Sequence, residues 1–570
     1  RISDRNRAVS VALSAPRGAI VDRNGMPLAT NEASFNLLAV SRQLDRSGGR
    51  VQGLEHLADV LGESVASLSA RVWGLSAKSA VFFVASDIDR EQILRLTGAM
   101  PRGISIATTS KRQYIDGPQV SHVVGYVGRV SKADMVRDTT YASSDTIGRL
   151  GVESSYEKYL RGTHGLIRAI AQEERIEQEE PTPGDTVTLS LDRAVQKSLY
   201  NSLWNMLRES GLSEAAAIAQ NPSTGEVLGM VSFPTYDNNT FNRQLTQRDV
   251  EELFQNPRRP LFNRIVSGRY NPGSTIKPFI GMAGLQEGIM RAHDIVTNEC
   301  IRLSIPNPSD PTRPYEYDNW RPDTGPFDLR RAIAQSCNIY FYIVGGGFGQ
   351  TKGLGVMRIA EYLQRAFADV VLGIDVPGEE AGFVPTPDWK ESVKGEPWYQ
   401  GDTFNISIGQ GDLVVTPLWL NTYVSAIANG GTLWRPFVVD RVTSSDGTVL
   451  LDAQPEELGK LPFSPAVIAI MQDAMRETVV SGTGKLLQDT GVDVSAKTGT
   501  AEVVKGGRIN SLITVYAPAE NPRIALTLLI EGSVSNQGYA LRATRDFLRQ
   551  YFGVPEAPPP TPEPSLLPTP

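Results

Sequence analysis

Apolar residues cluster in short runs through the C-terminal two thirds of the chain, and the pattern predicts paired strands. "AAAIAQNPSTGEVLGMVSFP" (215–234) has two apolar runs joined by an Asn-Pro-Ser-Thr-Gly turn, and "SLITVYAPAENPRIALTLLIEG" (511–532) repeats the pattern with a turn at 518–522. "YALRATRDFLRQYFG" (539–553) has helical periodicity and ends at a glycine. Between the two hairpins most of the periodicity is helical. We therefore predict an antiparallel sheet built from both ends of one domain, with an inserted helical region.

The N-terminal third has shorter and more mixed segments. "RGAIVDRNGMPLA" (17–29) places an Asn-Gly turn between apolar stretches and predicts a hairpin. "ESSYEKYLRG" (153–162) predicts a short amphipathic helix ended by glycine. In the segment 173–192, a charged run gives way to Pro-Thr-Pro-Gly and then to alternating Thr, Val and Leu. This change predicts a strand that enters a new domain near residue 181.

The length of 570 residues exceeds what one hydrophobic core usually supports, so we expect at least two domains. The predicted division is an α+β non-catalytic domain at 1–180 and a catalytic domain at 181–554. Residues 555–570 contain eight prolines and predict an extended or disordered tail.

Composition narrows the function classes. Hydrophobic residues make up 41% of the chain and charged residues 21%, as in ordinary globular proteins. A net charge of -7 without a dense basic patch makes nucleic acid an unexpected partner. No apolar run is long enough to span a membrane. The chain starts at Arg1 rather than methionine, which suggests that an upstream segment was removed.

The candidate chemistry starts at "YNPGSTIKPF" (270–279), where a helix beginning near Ser274 would put the hydroxyl of Ser274 and the amine of Lys277 on one face. Serine is a weak nucleophile that needs an adjacent base. The usual base is histidine, but none of the four histidines lies in this or in the two motifs below (His56, His122, His164 and His293). A lysine can serve instead if burial or a second positive charge lowers its pKa.

The Ser-x-x-Lys spacing alone is common in proteins. Its interpretation as a nucleophile beside a base therefore depends on two later motifs. Ser155 and Lys158 also fit it, in what we interpret as an exposed helix face. Only the first pair is followed by Ser336-x-Asn338 and by the run 497–500, Lys-Thr-Gly-Thr. The three elements in this order are the signature of penicillin-binding proteins and class A β-lactamases. Ser34-Phe35-Asn36 is a chance match to the second element.

The sequence resembles the class B penicillin-binding proteins, which are peptidoglycan D,D-transpeptidases. The resemblance covers nearly the whole chain, because segments 15–29, 122–130 and 148–165 are similar to motifs of the family's non-catalytic pedestal. The segment "KGEPWYQGDTFNISIGQGDLVVTP" (394–417) resembles the elongation-type branch, penicillin-binding protein 2. Division-type relatives usually carry a tyrosine where Gln410 stands. The fold that this implies is α+β, with an antiparallel five-stranded sheet flanked by helices, an inserted all-helical subdomain and an elongated N-terminal pedestal.

The residue types suggest roles that we treat as hypotheses. Lys277 would take the proton of Ser274, whose oxygen would attack the carbonyl of a D-Ala-D-Ala bond. Ser336 would relay the proton to the leaving amine, and Asn338 would hold the substrate amide and orient Lys277. The backbone N–H groups of Ser274 and Thr500 would form the oxyanion hole.

The Lys-Thr-Gly run would recognise the substrate. Lys497, Thr498 and Thr500 would bind the terminal carboxylate of the stem peptide. Gly499 would keep the strand free of bulk, so that the substrate can lie alongside. Lys497 would also lower the pKa of Lys277 if the strand lies beside the helix, since a nearby positive charge disfavours the ammonium form.

Family resemblance implies the surroundings of such an enzyme. It implies an N-terminal membrane anchor upstream of this chain, which would lie on the periplasmic side. The implied partners are stem peptides, β-lactams, a SEDS-type glycosyltransferase and elongation scaffold proteins, with no cofactor. Alternatives from the same scaffold are a division-type transpeptidase, a D,D-carboxypeptidase, a β-lactamase and a β-lactam sensor that does not turn over.

Two smaller features stay open or are rejected. The two cysteines cannot form a multi-bridge framework, and the sequence does not say whether they pair. A structural metal is an alternative that we do not adopt, with candidate ligands at His293, Cys300, Asp318 and Cys337. "SGTGKLL" (481–487) resembles a phosphate loop, but no Ser or Thr follows its lysine and the upstream glycine is missing.

Overall fold

The computed structural model describes residues 9–44, 46, 47, 50, 51, 53–77, 81–142, 145–170, 175–307, 310, 312–503 and 507–555. Apart from Pro555, the predicted proline-rich tail lies outside these residues. In the ranges that are described, no helix is both long enough and apolar enough to cross a membrane.

The N-terminal part of the chain is a mixture of short helices and strands. Its strands are β1 (Val9–Leu13), β2 (Ile20–Val21), β3 (Pro27–Val40), β4 (Arg46–Ser47), β5 (Arg50–Val51), β6 (Val81–Ile88), β7 (Ile104–Tyr114), β8 (Val127–Arg129), β9 (Thr146–Gly148), β10 (Gly165–Ile170) and β11 (Arg175–Glu179). Its helices are α1 (Glu55–Leu61), α2 (Val65–Ser76), α3 (Arg90–Leu96), α4 (Gly117–Val124), α5 (Lys132–Arg137), α6 (Gly151–Ser155) and α7 (Glu157–Leu160).

The rest of the chain contains longer helices. Its strands are β12 (Thr186–Leu189), β13 (Ala215–Gln220), β14 (Val227–Phe233), β15 (Thr297–Ile305), β16 (Tyr315–Phe327), β17 (Thr432–Trp434), β18 (Val439–Thr443), β19 (Val449–Asp452), β20 (Glu457–Lys460), β21 (Ser495–Val503), β22 (Arg508–Ala517) and β23 (Ile524–Ser533). Its helices are α8 (Arg193–Ser210), α9 (Gln247–Phe254), α10 (Lys277–Gln286), α11 (Leu329–Gln335), α12 (Asn338–Gly346), α13 (Val356–Arg365), α14 (Pro387–Lys394), α15 (Gln400–Ser407), α16 (Pro417–Ala428), α17 (Pro465–Val480) and α18 (Tyr539–Tyr551). The described residues of this part also form 3₁₀ helices at Asn238–Asn242, Gly273–Ile276 and Lys485–Asp489.

The predicted antiparallel sheet is confirmed, with five strands in the order β14-β13-β23-β22-β21. β13 and β14 are buried along their whole length. Successive side chains of a strand face opposite sides of the sheet, and β13 accordingly sends Ala216 and Ile218 into one core while Ala215, Ala217 and Ala219 join a second core with α8 and α18. Small side chains let helices pack closely on both faces. β21 is left as an edge strand, so one of its sides is open to a ligand.

The region inserted between β14 and β21 is mainly helical, as predicted. The structure adds strands that the sequence pattern did not indicate, and the longest are β15 and β16, which pair as an antiparallel hairpin. Most residues of this hairpin are exposed, so they lack the apolar alternation on which strand prediction depends.

The strand predicted near residue 181 is β12, and it links the two parts of the chain. β12 pairs in parallel with β2 and antiparallel with β18, inside a seven-stranded sheet that also contains β3, β6, β7 and β19. The predicted hairpin at 17–29 is confirmed, because Ile20 of β2 lies opposite Ala29 of β3. N-terminal strands and strands from beyond residue 180 therefore share one sheet.

The single helix predicted at 153–162 is wrong in its continuity. It is split into α6 and α7 at Tyr156, whose backbone has φ -109° and ψ 22°. The Tyr156 hydroxyl donates to Oδ2 of Asp375 at 2.9 Å, which connects this segment to the part of the chain beyond residue 180. Breaking the helix points the tyrosine at that carboxylate.

Candidate active site

The segment that carries Ser274 is a single 3₁₀ turn, Gly273–Ile276, followed directly by α10. Gly273 has φ 54°, a left-handed conformation that favours glycine. Its N–H donates to the carbonyl oxygen of Gly409 at 2.9 Å, and a Cβ at this position would lie 2.5 Å from the carbonyl oxygen of Thr500. Ser274 is therefore fixed between the edge strand β21 and the loop at Gly409.

Lys277 is fully buried and begins α10. Its Nζ donates to the carbonyl oxygen of Ser336 at 2.8 Å, to Oγ of Ser336 at 3.3 Å and to Oδ1 of Asn338 at 2.6 Å. An ammonium has three hydrogens and would donate to all three acceptors, whereas the neutral amine has two hydrogens and can donate to only two of them at a time. The expected contact with the Ser274 hydroxyl is not formed among the described side chains, because the loop between α11 and α12 holds the amine instead.

Ser336 lies between two lysines. Lys497 of β21 is also fully buried, and its Nζ donates to Oγ of Ser336 at 2.9 Å and to the carbonyl oxygen of Thr498 at 2.8 Å. Ser336 has φ 57°, a left-handed conformation that is uncommon for serine. This conformation ends α11 and aims the hydroxyl at the space between Lys277 and Lys497. The three motifs therefore meet at one oxygen atom.

Burial changes the protonation of both lysines. It lowers the pKa of Lys277 well below the usual lysine value, and the positive charge of Lys497 lowers it further. Burial alone lowers the pKa of Lys497 to about 7. A neutral Lys277 beside a Lys497 that titrates near neutral pH is the electrostatic arrangement that a lysine base requires.

The two cysteines form a disulfide between Cys300 of β15 and Cys337, which settles the question that the sequence left open. Bonded sulfurs are not thiolate ligands, and the described residues contain no group of three metal-ligating side chains. Cys337 is also the N-cap of α12, and its Sγ accepts from the N–H of Tyr340. The disulfide joins the hairpin β15–β16 to the loop that carries Ser336.

Asn338 is held from two directions. Its Oδ1 accepts from Lys277, and its backbone N–H donates to Oδ1 of Asn319 in β16 at 2.8 Å. In the part of the chain that is described, the Nδ2 of Asn338 has no partner, so it can donate to a bound substrate. Asn319 is a second contact between the hairpin and the motif loop, and its sequence context gave no signal for it.

These side chains line an open cleft of about 1370 Å³. Ser274, Ser336 and Asn338 line it together with Thr498 and Thr500 of β21. Nε2 of Gln410 donates to the carbonyl oxygen of Thr500 at 3.4 Å. A residue in an antiparallel strand points its N–H and its C=O to the same side, so the Thr500 N–H also faces the open edge.

The expected role of Gly499 is corrected by the structure. A Cβ at Gly499 would lie 2.8 Å from Cγ2 of Thr275 and 3.3 Å from the carbonyl oxygen of Pro272. The space that the glycine leaves is therefore filled by the turn that carries Ser274. Gly499 allows β21 to pack against the nucleophile turn.

One residue that the sequence analysis missed lies in the rejected segment 481–487. The hydroxyls of Thr483 and Thr498 form a hydrogen bond of 2.6 Å, and both residues line the cleft. The N–H of Thr483 donates to the carbonyl oxygen of Ala334, near the end of α11. A short glycine-rich run before a helix carries no sign of this contact.

The two chance matches lie elsewhere. Ser155 and Lys158 are exposed and belong to different helices, α6 and α7. Ser34 lies in β3, where its hydroxyl donates to Asp87. Neither match lines the cleft around Ser274.

Comparison with known proteins gives the family. The sequence model described as the penicillin binding protein transpeptidase domain matches residues 215–551. A second, described as the penicillin-binding protein dimerisation domain, matches residues 12–189. The peptidoglycan D,D-transpeptidase MrdA of Acinetobacter baumannii is 29% identical over 555 residues, which are 93% of this chain and 79% of that protein. MrdA of Escherichia coli K12 is 27% identical over 566 residues, 93% of this chain and 85% of that protein.

Solved structures agree with this fold. A peptidoglycan synthase complex that coordinates polymerization and crosslinking contains a chain with a TM-score of 0.74 and 28% identity, covering 97% of this chain and 92% of that one. The penicillin-binding protein PBP2 of Helicobacter pylori, in complex with MreC, has a TM-score of 0.79 at 24% identity, covering 96% of this chain and 99% of that one. Since the first sequence model alone matches more than half of its residues, this chain belongs to the penicillin-binding protein transpeptidase family.

Proposed function

We propose that the protein is a peptidoglycan D,D-transpeptidase of cell-wall elongation, which forms peptide cross-links through an acyl-enzyme on Ser274. The observation that carries the proposal is the hydrogen-bonded chain Lys277–Ser336–Lys497, which lies beside a half-buried serine in an open cleft. The relatives named MrdA support the same activity.

The proposed reaction has two halves. Neutral Lys277 takes the proton of Ser274, whose oxygen bonds to the carbonyl carbon of the D-Ala-D-Ala amide. For this step the amine moves from its present acceptors to the Ser274 hydroxyl. The proton then passes through Oγ of Ser336 to the leaving nitrogen, and D-alanine departs. An amine of a neighbouring stem peptide attacks the ester in the second half, forms the cross-link and releases Ser274.

Two sets of groups would bind the negative charges of the reaction, which are the terminal carboxylate of the donor stem peptide and the oxyanion of the tetrahedral intermediate. Lys497, with the hydroxyls of Thr498 and Thr500, would bind the terminal carboxylate. The oxyanion of the tetrahedral intermediate would accept from the N–H groups of Ser274 and Thr500, and such a donor typically contributes about 3 kcal/mol. A β-lactam would acylate the same serine and remain bound.

The domain organisation, the partners and the location of the protein are proposed by comparison with its relatives. We assign residues 1–180 to the non-catalytic domain, 181–554 to the transpeptidase domain and 555–570 to a tail. Since the Helicobacter pylori protein is solved with MreC and another relative within a synthase complex, an elongation scaffold and a SEDS-type glycosyltransferase are the proposed partners. An N-terminal anchor would hold the protein at the periplasmic face of the cytoplasmic membrane.

Labelling with fluorescent penicillin tests the nucleophile. The wild type is expected to be labelled persistently, and Ser274→Ala is expected to lose the label. Ser155→Ala, which changes the chance match, serves as the control and should keep it. Persistent labelling of Ser274→Ala would overturn the assignment, and rapid loss of label from the wild type would indicate a β-lactamase.

Cross-linking separates the transpeptidase from the remaining alternatives. With its polymerase partner and a stem-peptide substrate, the wild type should form dimeric stem peptides and Ser274→Ala should form none. Release of D-alanine without dimers would indicate a carboxypeptidase. Neither product would indicate a sensor.

A further inference from the structure

The polar groups of the cleft that the proposed reaction does not use include the carboxylate of Glu502 and the hydroxyl of Tyr342. We propose that they form a subsite for a cationic side chain, the amine of the donor stem peptide upstream of D-Ala-D-Ala. This inference rests on the proposed function, and it adds a determinant of which stem peptides are used.

Glu502 extends the substrate-facing side of β21. It lies two residues after Thr500 and four after Thr498, so the three side chains point to the same face of the strand. All three line the cleft, and Glu502 is exposed. Within the described residues Glu502 forms no ion pair and no hydrogen bond, so its charge is available to a ligand.

Tyr342 supplies the second, independent observation. It follows Asn338 by one turn of α12, lines the cleft, and is only 5% exposed. Its hydroxyl has no hydrogen-bond partner in the described part of the chain. The ring of Tyr342 is packed in the core, while its hydroxyl is not one of the buried unpaired polar atoms and therefore opens onto the cleft, where it is available to a ligand.

The Tyr342 hydroxyl stays neutral near physiological pH. Burial raises the pKa of Tyr342 above the usual tyrosine value, and nearby Tyr317 and the carboxylates of Asp318 and Glu502 raise it further. A neutral phenol oxygen can accept a hydrogen bond from an ammonium. The negative charge of Glu502 thus acts on the Tyr342 hydroxyl, in the same part of the cleft.

The direction of the bound peptide explains why the amine would reach Glu502. The donor's carboxylate lies at Lys497 and Thr498, and its scissile carbonyl lies at the N–H of Thr500. The preceding residues must then continue along the open edge towards Glu502, as an added strand does. A strand rises about 3.3 Å per residue, so Glu502 is about 7 Å beyond Thr500.

The ligand chemistry follows from the charges of the cleft and from the reaction. Donor and acceptor are stem peptides of one polymer, so the amine that attacks in the second half is also present on the donor. The other carboxylate that lines the cleft, Asp318, is paired with Arg302. The lining cation Arg321 stacks on Trp320 and donates to Gln335. Among the described lining residues, Glu502 is thus the carboxylate without a cation.

A competition experiment tests the subsite. Two peptides ending in D-Ala-D-Ala, one with a free side-chain amine and one with that amine acetylated, compete with fluorescent penicillin for Ser274 in the full chain. The measurement is the peptide concentration that halves the labelling rate. For the wild type we expect the amine peptide to compete about two- to fivefold better, the range of an exposed charge pair.

Three variants sharpen the result. Glu502→Gln should bring the ratio close to one, and Glu502→Lys should favour a succinylated peptide, which carries a carboxylate, over the amine peptide. Tyr342→Phe should lower the ratio less than Glu502→Gln does. Glu520→Gln, in the exposed turn between β22 and β23, is the matched control and should keep the wild-type ratio.

The outcomes separate this inference from the proposed function. If the wild type does not distinguish the two peptides, or if Glu502→Gln weakens both peptides equally, the subsite is overturned while the serine mechanism stands. If Ser274→Ala is still labelled, the proposed function fails first. Retained labelling of Glu502→Gln by penicillin shows that the variant is folded.

Discussion

At the scale of single residues, the proposed reaction requires particular protonation states of two buried lysines that share one serine hydroxyl. Lys277 can accept a proton only as the neutral amine, and Lys497 attracts a carboxylate only as the ammonium. Ser336 lies between them, at 3.3 Å from the first and 2.9 Å from the second. The two requirements are met together only in a limited range of pH.

We predict a bell-shaped pH dependence of acylation. The second-order rate constant for penicillin should rise with pH as Lys277 loses its proton, since its pKa lies well below the usual lysine value. It should fall as pH passes about 7, because Lys497, whose pKa is about 7, then loses its charge. Measuring the rate constant from pH 5 to 9 checks both limbs.

Lys497→Arg is the matched variant for the second limb. Arginine stays protonated throughout this range, so the decline above neutral pH should disappear even if the maximal rate is lower. A wild-type rate constant that is flat between pH 5 and 9 would contradict the assignment of both lysines.

The close contact at Gly499 gives a second prediction. Gly499→Ala should slow acylation by at least about tenfold, because the new Cβ would meet Cγ2 of Thr275 at 2.8 Å and displace the Ser274 turn. Thr275→Ser removes that methyl group and keeps the hydroxyl, which donates to Pro272. The double variant should therefore recover much of the rate.

The control for this pair is Gly74→Ala in α2, where a Cβ meets nothing within 4 Å. It should leave the rate of penicillin labelling unchanged. If Gly499→Ala is as active as the wild type, the strand does not need this close packing.

At the scale of secondary-structure elements, the hairpin β15–β16 supports the motif loop. The disulfide from Cys300 and the contact from Asn319 both reach the residues next to Ser336. Because these two contacts come from one hairpin, the left-handed conformation of Ser336 is fixed from outside the loop itself.

We predict that Cys300→Ala combined with Cys337→Ala affects both stability and reaction. Removing a disulfide typically lowers the free energy of unfolding by about 2–4 kcal/mol, and the freed hairpin should let Ser336 shift, which slows acylation. Denaturant unfolding and penicillin labelling measure the two effects. Ser304→Ala, an exposed change in β15, is the control for the hairpin. Lower stability with unchanged acylation would mean that the hairpin does not position Ser336.

The elements that were predicted correctly are those whose sequence pattern is local. The hairpins around 215–234 and 511–532 and the helix at 539–553 have apolar runs bounded by turn residues, and all three are present. The hairpin β15–β16 was missed because its side chains are mostly exposed. The break at Tyr156 depends on a contact with Asp375, more than 200 residues away, which no local pattern records.

The same distinction holds for the site. The order of the three motifs predicted that their residues lie close together in the fold. The structure brings together Ser274 and Lys277, Ser336 and Asn338, and the run 497–500. The sequence could not show that Lys277 bonds to Ser336 and Asn338 rather than to Ser274, or that Thr275 fills the space beside Gly499, since both depend on packing between distant segments. The cysteine pairing was undetermined for the same reason.

At the scale of the whole molecule, the two parts of the chain are joined by shared structure. A buried carboxylate, Glu153 of α6, lies between Arg17 and Arg112. Arg112 also donates to the carbonyl oxygen of Gly18, the residue before Ala19 and β2. β2 and β12 join the two parts by backbone pairing of Ile20 with Val187 and of Val21 with Thr188, and the ion network stabilises the N-terminal side of this joint.

We predict that the protein unfolds in one cooperative step. We also predict that Glu153→Gln lowers its stability by about 3–5 kcal/mol, because the change leaves the buried Arg112 without its counter-charge and leaves Arg17 with Glu157 alone. Calorimetry should show a single transition that moves to lower temperature. Glu252→Gln, which breaks an exposed pair with Arg248, should change stability by less than about 1 kcal/mol. Two separate transitions in the wild type would contradict the coupling of the two parts through this joint.

The position of β12 has a consequence for how a signal could travel through the protein. Backbone hydrogen bonds between paired strands resist bending at this joint. A partner that binds the N-terminal part would therefore reorient the cleft together with that part. Regulation from that end would then consist of aiming the cleft at the cell wall, rather than of opening or closing it.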